Sequence, residues 1–220
     1  SAARVAHEMR SPLGHLRAGL DVARAAARPG ECGPAQAERL AALREEVDEM
    51  IAIFGALLDV TLTEASAGDR SGLARVDLAH VVAEVVELYE AVAEDRGVRI
   101  QTRAAPVATL GEARLLTRLL ANLVDNAVKF STPGGTVEVS VERRGADAVL
   151  SVRDHGAGLP QGFAESAFDL FTRAPQAAAT PGHGLGLALV RAIAVRHGFR
   201  LRLEDAAPGL RVVVSGPAEA

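Results

Sequence analysis

His7 and Glu8 stand side by side at the head of an apolar-periodic stretch and are followed at once by Met9-Arg10-Ser11-Pro12-Leu13. An imidazole with a carboxylate neighbour can serve as a nucleophile and its base. At about 100° per residue, the six steps from His7 to Leu13 amount to about 240°, so the ring points away from the apolar seam while Met9 and Leu13 face it. Pro12 removes the donor that would meet the Glu8 carbonyl, which predicts a bend just past His7. An ordinary surface histidine near a helix start fits the same residues. His15 lies near the same face as a rival acceptor but has no adjacent acid.

Three further stretches carry chemical potential. Asn122, Asn126 and Lys129 fall at i, i+4 and i+7, one polar stripe on a helix whose other face is Leu115, Leu116, Leu119, Leu120, Leu123 and Ala127. Amide oxygens suit a hard cation and an ammonium suits phosphate, so the stripe fits a magnesium-nucleotide site; standing alone, a solvated helix face with Asp125 pairing Lys129 fits it better. Lys129 is the single lysine among 24 Lys and Arg. Asp154-His155-Gly156-Ala157-Gly158 follows the strand-like run 149–153. A carboxylate there can accept from an exocyclic amine while the glycines admit a flat ring, and a plain glycine-rich turn reads the same way. Gly182-His183-Gly184-Leu185-Gly186 precedes an apolar helix whose free N-terminal amides favour phosphate, although Gly-x-Gly-x-Gly alone is weak evidence.

These groups need elements to hold them. From Arg4 to about Thr63 the pattern is helical: Met9, Leu13, Leu16, Leu20, Ala23 and Ala27 form one a/d seam, and Leu40, Leu43, Val47, Met50, Phe54, Leu57 and Thr61 form another. The breaker-rich segment 28–34 folds them into an antiparallel hairpin. Two helices leave their flanks uncovered, which predicts a homodimeric four-helix bundle. Residues 65–72 are small, polar and glycine-bearing, the composition of a linker, giving domains 1–66 and 73–217. Beyond the linker we expect helices at 78–95, 112–130 and 185–197. Strands are expected at 98–102, 136–142, 148–153, 200–204 and 211–215, with a loop-rich stretch at 154–183. Gly198 marks a helix stop. Strands clustered with helices, without strict βαβ alternation, predict an α+β sandwich with helices on one face of a mixed sheet.

Composition narrows the class. With 220 residues, 49% hydrophobic and 24% charged, the chain can bury a core. Its apolar runs are far short of the ~18 residues a membrane span needs. A net charge of −4 without a basic block argues against nucleic acid. The single cysteine, Cys32, excludes an intrachain disulfide and fits a reducing compartment. The chain begins Ser-Ala-Ala-Arg without an initiator Met, so we read it as a fragment.

The order of the motifs along one chain is more specific than any of them. His-Glu-x-Arg-Ser-Pro-Leu, Asn-x-x-x-Asn-Ala-x-Lys-Phe, Asp-x-Gly-x-Gly, Phe-x-x-Phe and Gly-x-Gly-x-Gly resemble the H, N, G1, F and G2 boxes of bacterial two-component sensor histidine kinases, over nearly the whole length. The H box separates them from gyrase, mismatch-repair ATPases and heat-shock chaperones, which share the Bergerat nucleotide fold.

The resemblance implies a dimerisation and histidine-phosphotransfer domain followed by a catalytic ATP-binding domain, acting in the cytoplasm even where the parent protein is membrane-anchored. His7 then matches the phosphoacceptor, Glu8 its general base, and Ser11 the side chain that orients water when the regulator is dephosphorylated. Asn126 matches the Mg2+ ligand, with Asn122 near the phosphates. Lys129 and Phe130 match phosphate and nucleotide contacts, and Asp154 the reader of the adenine amino group, with Gly156 and Gly158 beside the ring. Phe168, Phe171 and Arg173 match the F box and its following base. Gly182, Gly184, Leu185 and Gly186 match the box that closes a lid of about residues 159–183 over ATP. Ala6, Leu170 and Thr172 depart from the family pattern. The implied partners are a second copy through the hairpin and the receiver domain of a response regulator. A degenerate kinase, acting as a nucleotide-binding scaffold or regulator phosphatase, and an ATP-driven clamp without phosphotransfer are the alternatives.

Overall fold

A computed structural model of the chain describes residues 47, 50, 53–55, 57–65, 72–160, 162–175 and 184–219. The chain divides into two compact units, Ser1–Leu62 and Thr63–Ala220. In the first, every described residue is helical. The Thr61 hydroxyl donates to the Leu57 carbonyl one turn back at 2.9 Å, the bond threonine makes inside a helix. Val47 and Val60 are buried, while Met50 is half exposed. The expected hairpin as a whole, with His7, Glu8 and Ser11, lies outside the described residues.

The second unit runs β1 (Ala74–Asp77), α1 (Leu78–Asp95), β2 (Arg99–Ala104), β3 (Ala108–Gly111), α2 (Ala113–Phe130), β4 (Thr136–Arg144), β5 (Asp147–Arg153), a 3-10 turn (Phe163–Glu165), α3 (Gly186–Arg196), β6 (Arg200–Asp205) and β7 (Leu210–Pro217). Asp77 starts α1 by accepting from the Ala79 amide at 2.9 Å, satisfying one of the helix's orphan donors. β4 and β5 close with the two-residue loop Gly145–Ala146. Gly145 has φ +62, the left-handed value that such tight hairpins demand of their first central residue.

Five strands form one mixed sheet in the order β2-β4-β5-β7-β6, parallel between β2 and β4 and antiparallel elsewhere. Alternation decides which face is inner. Val139, Val152 and Val212 lie side by side across three strands, as do Val141, Leu150 and Val214, and all six are buried. The helices cover this face: Leu78, Val81, Leu116 and Leu120 line a common small void with Leu150 and Val214. Each such leucine or valine stabilises the fold by about 1.5–3 kcal/mol relative to exposure. The opposite face carries Glu138, Ser140, Ser151 and Arg153, with the Ser140 and Ser151 hydroxyls bonded at 2.8 Å. The outcome is the α/β sandwich with a mixed sheet, and the element bounds agree with the sequence reading to within two residues.

One feature is additional to that reading. β1 and β3 pair antiparallel as a separate two-stranded sheet, Val76 opposite Thr109. Four residues are too few to display alternation, and the partners are more than thirty residues apart. The buried Thr109 hydroxyl donates to the Pro217 carbonyl at 2.8 Å, fastening this ribbon to the end of β7.

Candidate nucleotide site

β5 ends at Arg153, and Asp154 is the first residue off the strand. It is only 7% exposed. The amides of Gly156 (2.8 Å) and Leu210 (3.2 Å) both donate to its Oδ1, and its own amide donates to the Leu210 carbonyl at 2.9 Å. Burial pushes the carboxyl above the ordinary carboxylate range, against these two amides and the nearby His155, which hold it down. Close approach makes the neighbouring glycines obligatory. A Cβ on Gly156 would lie 2.1 Å from the Phe130 carbonyl oxygen, and one on Gly209 would lie 1.9 Å from the Asp154 carbonyl oxygen. Gly158 backs onto Gly209 in the same way, with a Cβ there 3.2 Å from its carbonyl oxygen.

The polar stripe lies on α2, whose apolar residues Leu116, Leu119, Leu120, Leu123 and Ala127 are buried as the spacing predicts. Of the two readings for Lys129, the structure displays the helix pair: Nζ sits 2.5 Å from Asp125 Oδ2. The Asn122 side-chain amide donates to the Arg118 carbonyl at 2.8 Å, which fixes the orientation of its amide group. Asp125 also faces α1: burial, and then this carboxylate, push the Tyr89 phenol upward. Phe130, at the end of the helix, is 40% exposed.

Phe171 adopts φ +61, a left-handed conformation that strains a bulky residue. Its amide donates to the Gly184 carbonyl at 3.0 Å, and a Cβ on Gly184 would come within 2.7 Å of the Thr172 carbonyl oxygen. Phe171 is 55% exposed, beside an exposed Leu170, whereas Phe168 is half-buried. Arg173 is exposed. α3 begins at Gly186 with the buried Leu185 in the cap position and no side chain satisfying its first amides. A Cβ on Gly186 would lie 3.0 Å from Asn122 Oδ1 and 3.6 Å from Asn126 Nδ2.

Separate sequence motifs thus converge through close contacts. Gly156 forms a bridge with Ser131 immediately after α2, Gly186 abuts Asn122 and Asn126, and Gly184 clasps Phe171. Gly182, like His7, Glu8 and Ser11, lies outside the described residues. The sequence reading missed Gly209 and Leu210, which hold Asp154 from the β6–β7 turn; the Pro208-Gly209 pair announced a turn but not what it would touch. Two amide side chains at the mouth of an uncapped helix, a buried carboxylate with a glycine-lined approach, and exposed phenylalanines can together take a triphosphate, a base amine and a flat ring.

Residues 111–219 match the family described as histidine kinase-, DNA gyrase B-, and HSP90-like ATPases. Over 208 residues, 92% of its length, the chain is 35% identical to the signal transduction histidine-protein kinase/phosphatase MprB of Mycobacterium sp. (strain KMS), and spans 39% of that relative. The structure of a mycobacterial sensor histidine kinase MprB superposes with a TM-score of 0.61 at 30% identity, covering 67% of this chain and 98% of that one. Full-length ShkA in complex with AMPPNP gives a TM-score of 0.80 at 26% identity, over 100% of this chain and 46% of ShkA. Among the described residues no helix is long and apolar enough to cross a membrane. With these likenesses added to the convergent motifs, the chain belongs to the sensor histidine kinases of two-component systems.

Proposed function

We propose that the chain binds Mg-ATP in residues 73–217 and transfers the γ-phosphoryl group to His7 in residues 1–66, from which it passes to an aspartate of a response regulator. The observation that carries the nucleotide part is the Asp154 geometry. With both backbone amides donating to Oδ1, Oδ2 is the oxygen assigned to the adenine amino group, a preference that guanine, with a carbonyl there, does not satisfy. Gly156 and Gly158 admit the ring, and Phe130 and Phe171 contribute apolar surface beside it.

The Asn122 amide oxygen and the Asn126 amide nitrogen lie against the start of α3, so Gly186 keeps that contact close; with its amide group turned, Asn126 would present its oxygen to a hard cation. Bound there through Asn126, Mg2+ would offset charge on the triphosphate. Lys129 leaves Asp125 to meet a phosphate, and the amides at Gly184, Leu185 and Gly186 receive the others, with Gly182 and Arg173 completing that end. Positioning and charge neutralisation are the means by which phosphoryl transfer is accelerated. The Glu8 carboxylate holds the proton of one imidazole nitrogen of His7, leaving the other lone pair for attack on phosphorus. In this reading residues 1–66 pair with a second copy as a four-helix bundle. The linker at 65–72 and the bend at Pro12 absorb the approach of nucleotide to His7. Ser11 offers a hydroxyl to orient water for hydrolysis of the regulator's phosphoaspartate, and the curated relatives' names include a phosphatase.

The test is incubation with γ-labelled ATP and magnesium beside His7→Ala. We expect acid-labile, alkali-stable label on the native chain and none on the variant. ATP binding without label on either would leave a nucleotide-binding scaffold or phosphatase in its place.

A further inference from the structure

His197 is buried at the end of α3, far along the helix from Gly186, and nothing in the proposed phosphotransfer uses it. Its Nδ1 lies 2.7 Å from the Ile193 carbonyl and its Nε2 lies 3.0 Å from the Glu112 amide nitrogen. A carbonyl only accepts and an amide N–H only donates, so the proton sits on Nδ1 and Nε2 is bare: the ring is neutral and of one tautomer. Glu112 is the cap position of α2 and its side chain makes no capping bond; the histidine of another helix supplies the acceptor for that residue's N–H instead. The ring is wedged in place. A Cβ on Gly111 would be 3.1 Å from its Cδ2, and the Phe199 ring lies 5.5 Å away, centroid to centroid.

α2 and α3 therefore run antiparallel and meet closely at both ends, at His197 against Glu112 and at Gly186 against Asn122 and Asn126. Leu116 and Leu119 on α2 and Leu189 and Ile193 on α3 are buried, and a close-packed interior transmits displacement rather than absorbing it. We infer that His197 is a positioning residue for the nucleotide site: by accepting from the Glu112 amide it sets the register of α3 on α2, and with it the spacing between the start of α3 and the Asn122 and Asn126 amides.

Protonation of Nε2 would turn donor toward donor and release that register. The charged groups facing the ring are Arg196 on its own helix and Glu112 on α2, themselves 3.5 Å apart as a salt bridge. Burial pushes the imidazole below its ordinary range, with Arg196 in the same direction and the Ile193 carbonyl and Glu112 in the other. The neutral ring is thus the resident form at neutral pH, and acidification is the natural way to break the bond.

This inference rests on the nucleotide reading, and its test separates the two. Gln at 197 can present an oxygen near the Nε2 position and does not titrate; Asn reaches only the Nδ1 position and loses the acceptor. Affinity for Mg-AMPPNP is measured by calorimetry for the full chain, His197→Gln and His197→Asn between pH 7.5 and 5.5. We expect the Gln variant to match wild type at pH 7.5 within about twofold and the Asn variant to bind about three- to tenfold more weakly, the scale of one hydrogen bond. On acidification wild type should fall below the Gln variant by a similar factor; titration of the nucleotide and of Asp154 cancels in that ratio. Variants with lowered melting temperature but wild-type affinity, a wild-type-to-Gln ratio flat with pH, or a Gln variant as weak as Asn would each overturn the inference. Wild type that binds no nucleotide at any pH would overturn the nucleotide reading and the inference with it. The Gln-to-wild-type comparison stands even if the Asn variant does not fold.

Discussion

Asp154 and His197 are two of the few buried polar residues described, and each is held by one nearby backbone group and one from a distant stretch of chain. They differ in what is left over. Asp154 gathers its two donors on one oxygen and retains a second, whereas His197 uses both ring nitrogens. Burial moves the two in opposite directions, the carboxyl up and the imidazole down, because it penalises the charged form of each. A buried acceptor with spare capacity is a binding site, and one without is a fastening. Neither role is visible in residue type or exposure alone; it follows from counting partners.

The comparison can be broken most severely at the turn that holds Asp154. Gly209→Ala combines φ +96 with a methyl 1.9 Å from the Asp154 carbonyl oxygen. We expect a loss of about 3 kcal/mol in denaturant unfolding, with nucleotide affinity lost in the fraction that folds. Asp154→Asn is gentler on the fold, since its oxygen can still accept from Gly156 and Leu210. ATP affinity should drop about 10- to 100-fold, as for a hydrogen bond to a charged group, while stability at pH 8 is unchanged or higher. A tighter-binding Asn variant would show that Asp154 is structural.

The pH dependence of stability sharpens the contrast, because the two groups act with opposite sign. The folded value for Asp154 is raised, so its contribution is full below about pH 3.9, the unfolded value, and is lost as pH rises through the folded one. The folded value for His197 is lowered, so its contribution is full above about pH 6.5 and is lost as pH falls through the folded one. Melting temperatures of His197→Gln should accordingly fall less than those of wild type between pH 6.5 and 5, and equal slopes would refute the assignment. The smallest effect belongs to the phosphate end. Lys129→Met removes a half-buried i, i+4 pair and should cost only about 0.5–1 kcal/mol in stability, while weakening Mg-ATP binding measurably.

Much of this was legible beforehand. The helix at 78–95 and the stripe of Asn122, Asn126 and Lys129 on an amphipathic α2 follow from local period, and the ordered motifs named the family before any contact was known. Two kinds of information were not local. β1 and β3 are each four residues, and only their pairing makes them strands. Gly209, Leu210 and His197 act on Asp154 and Glu112 across more than fifty residues of chain, so no spacing rule reaches them. Lys129 was legible as two incompatible readings, ion pair and phosphate ligand. The structure displays the pair because the Asp125 carboxylate lies one helical turn away.

Among the described residues the five-stranded sheet is open, with β2 and β6 as its margins. Both margins are written in arginine: Arg99 and Arg103 on one, Arg200 and Arg202 on the other, all exposed. Unpaired strand margins template the addition of further strands from neighbouring molecules, and charge on alternate positions makes that addition repulsive. In the proposed reading, in which the chain meets its own copy through residues 1–66, these margins discourage other self-contacts, Arg99, Arg103 and Arg202 as exposed charges and Arg200 beside Asp147. Neutralising them should leave catalysis intact and show itself first as turbidity on storage.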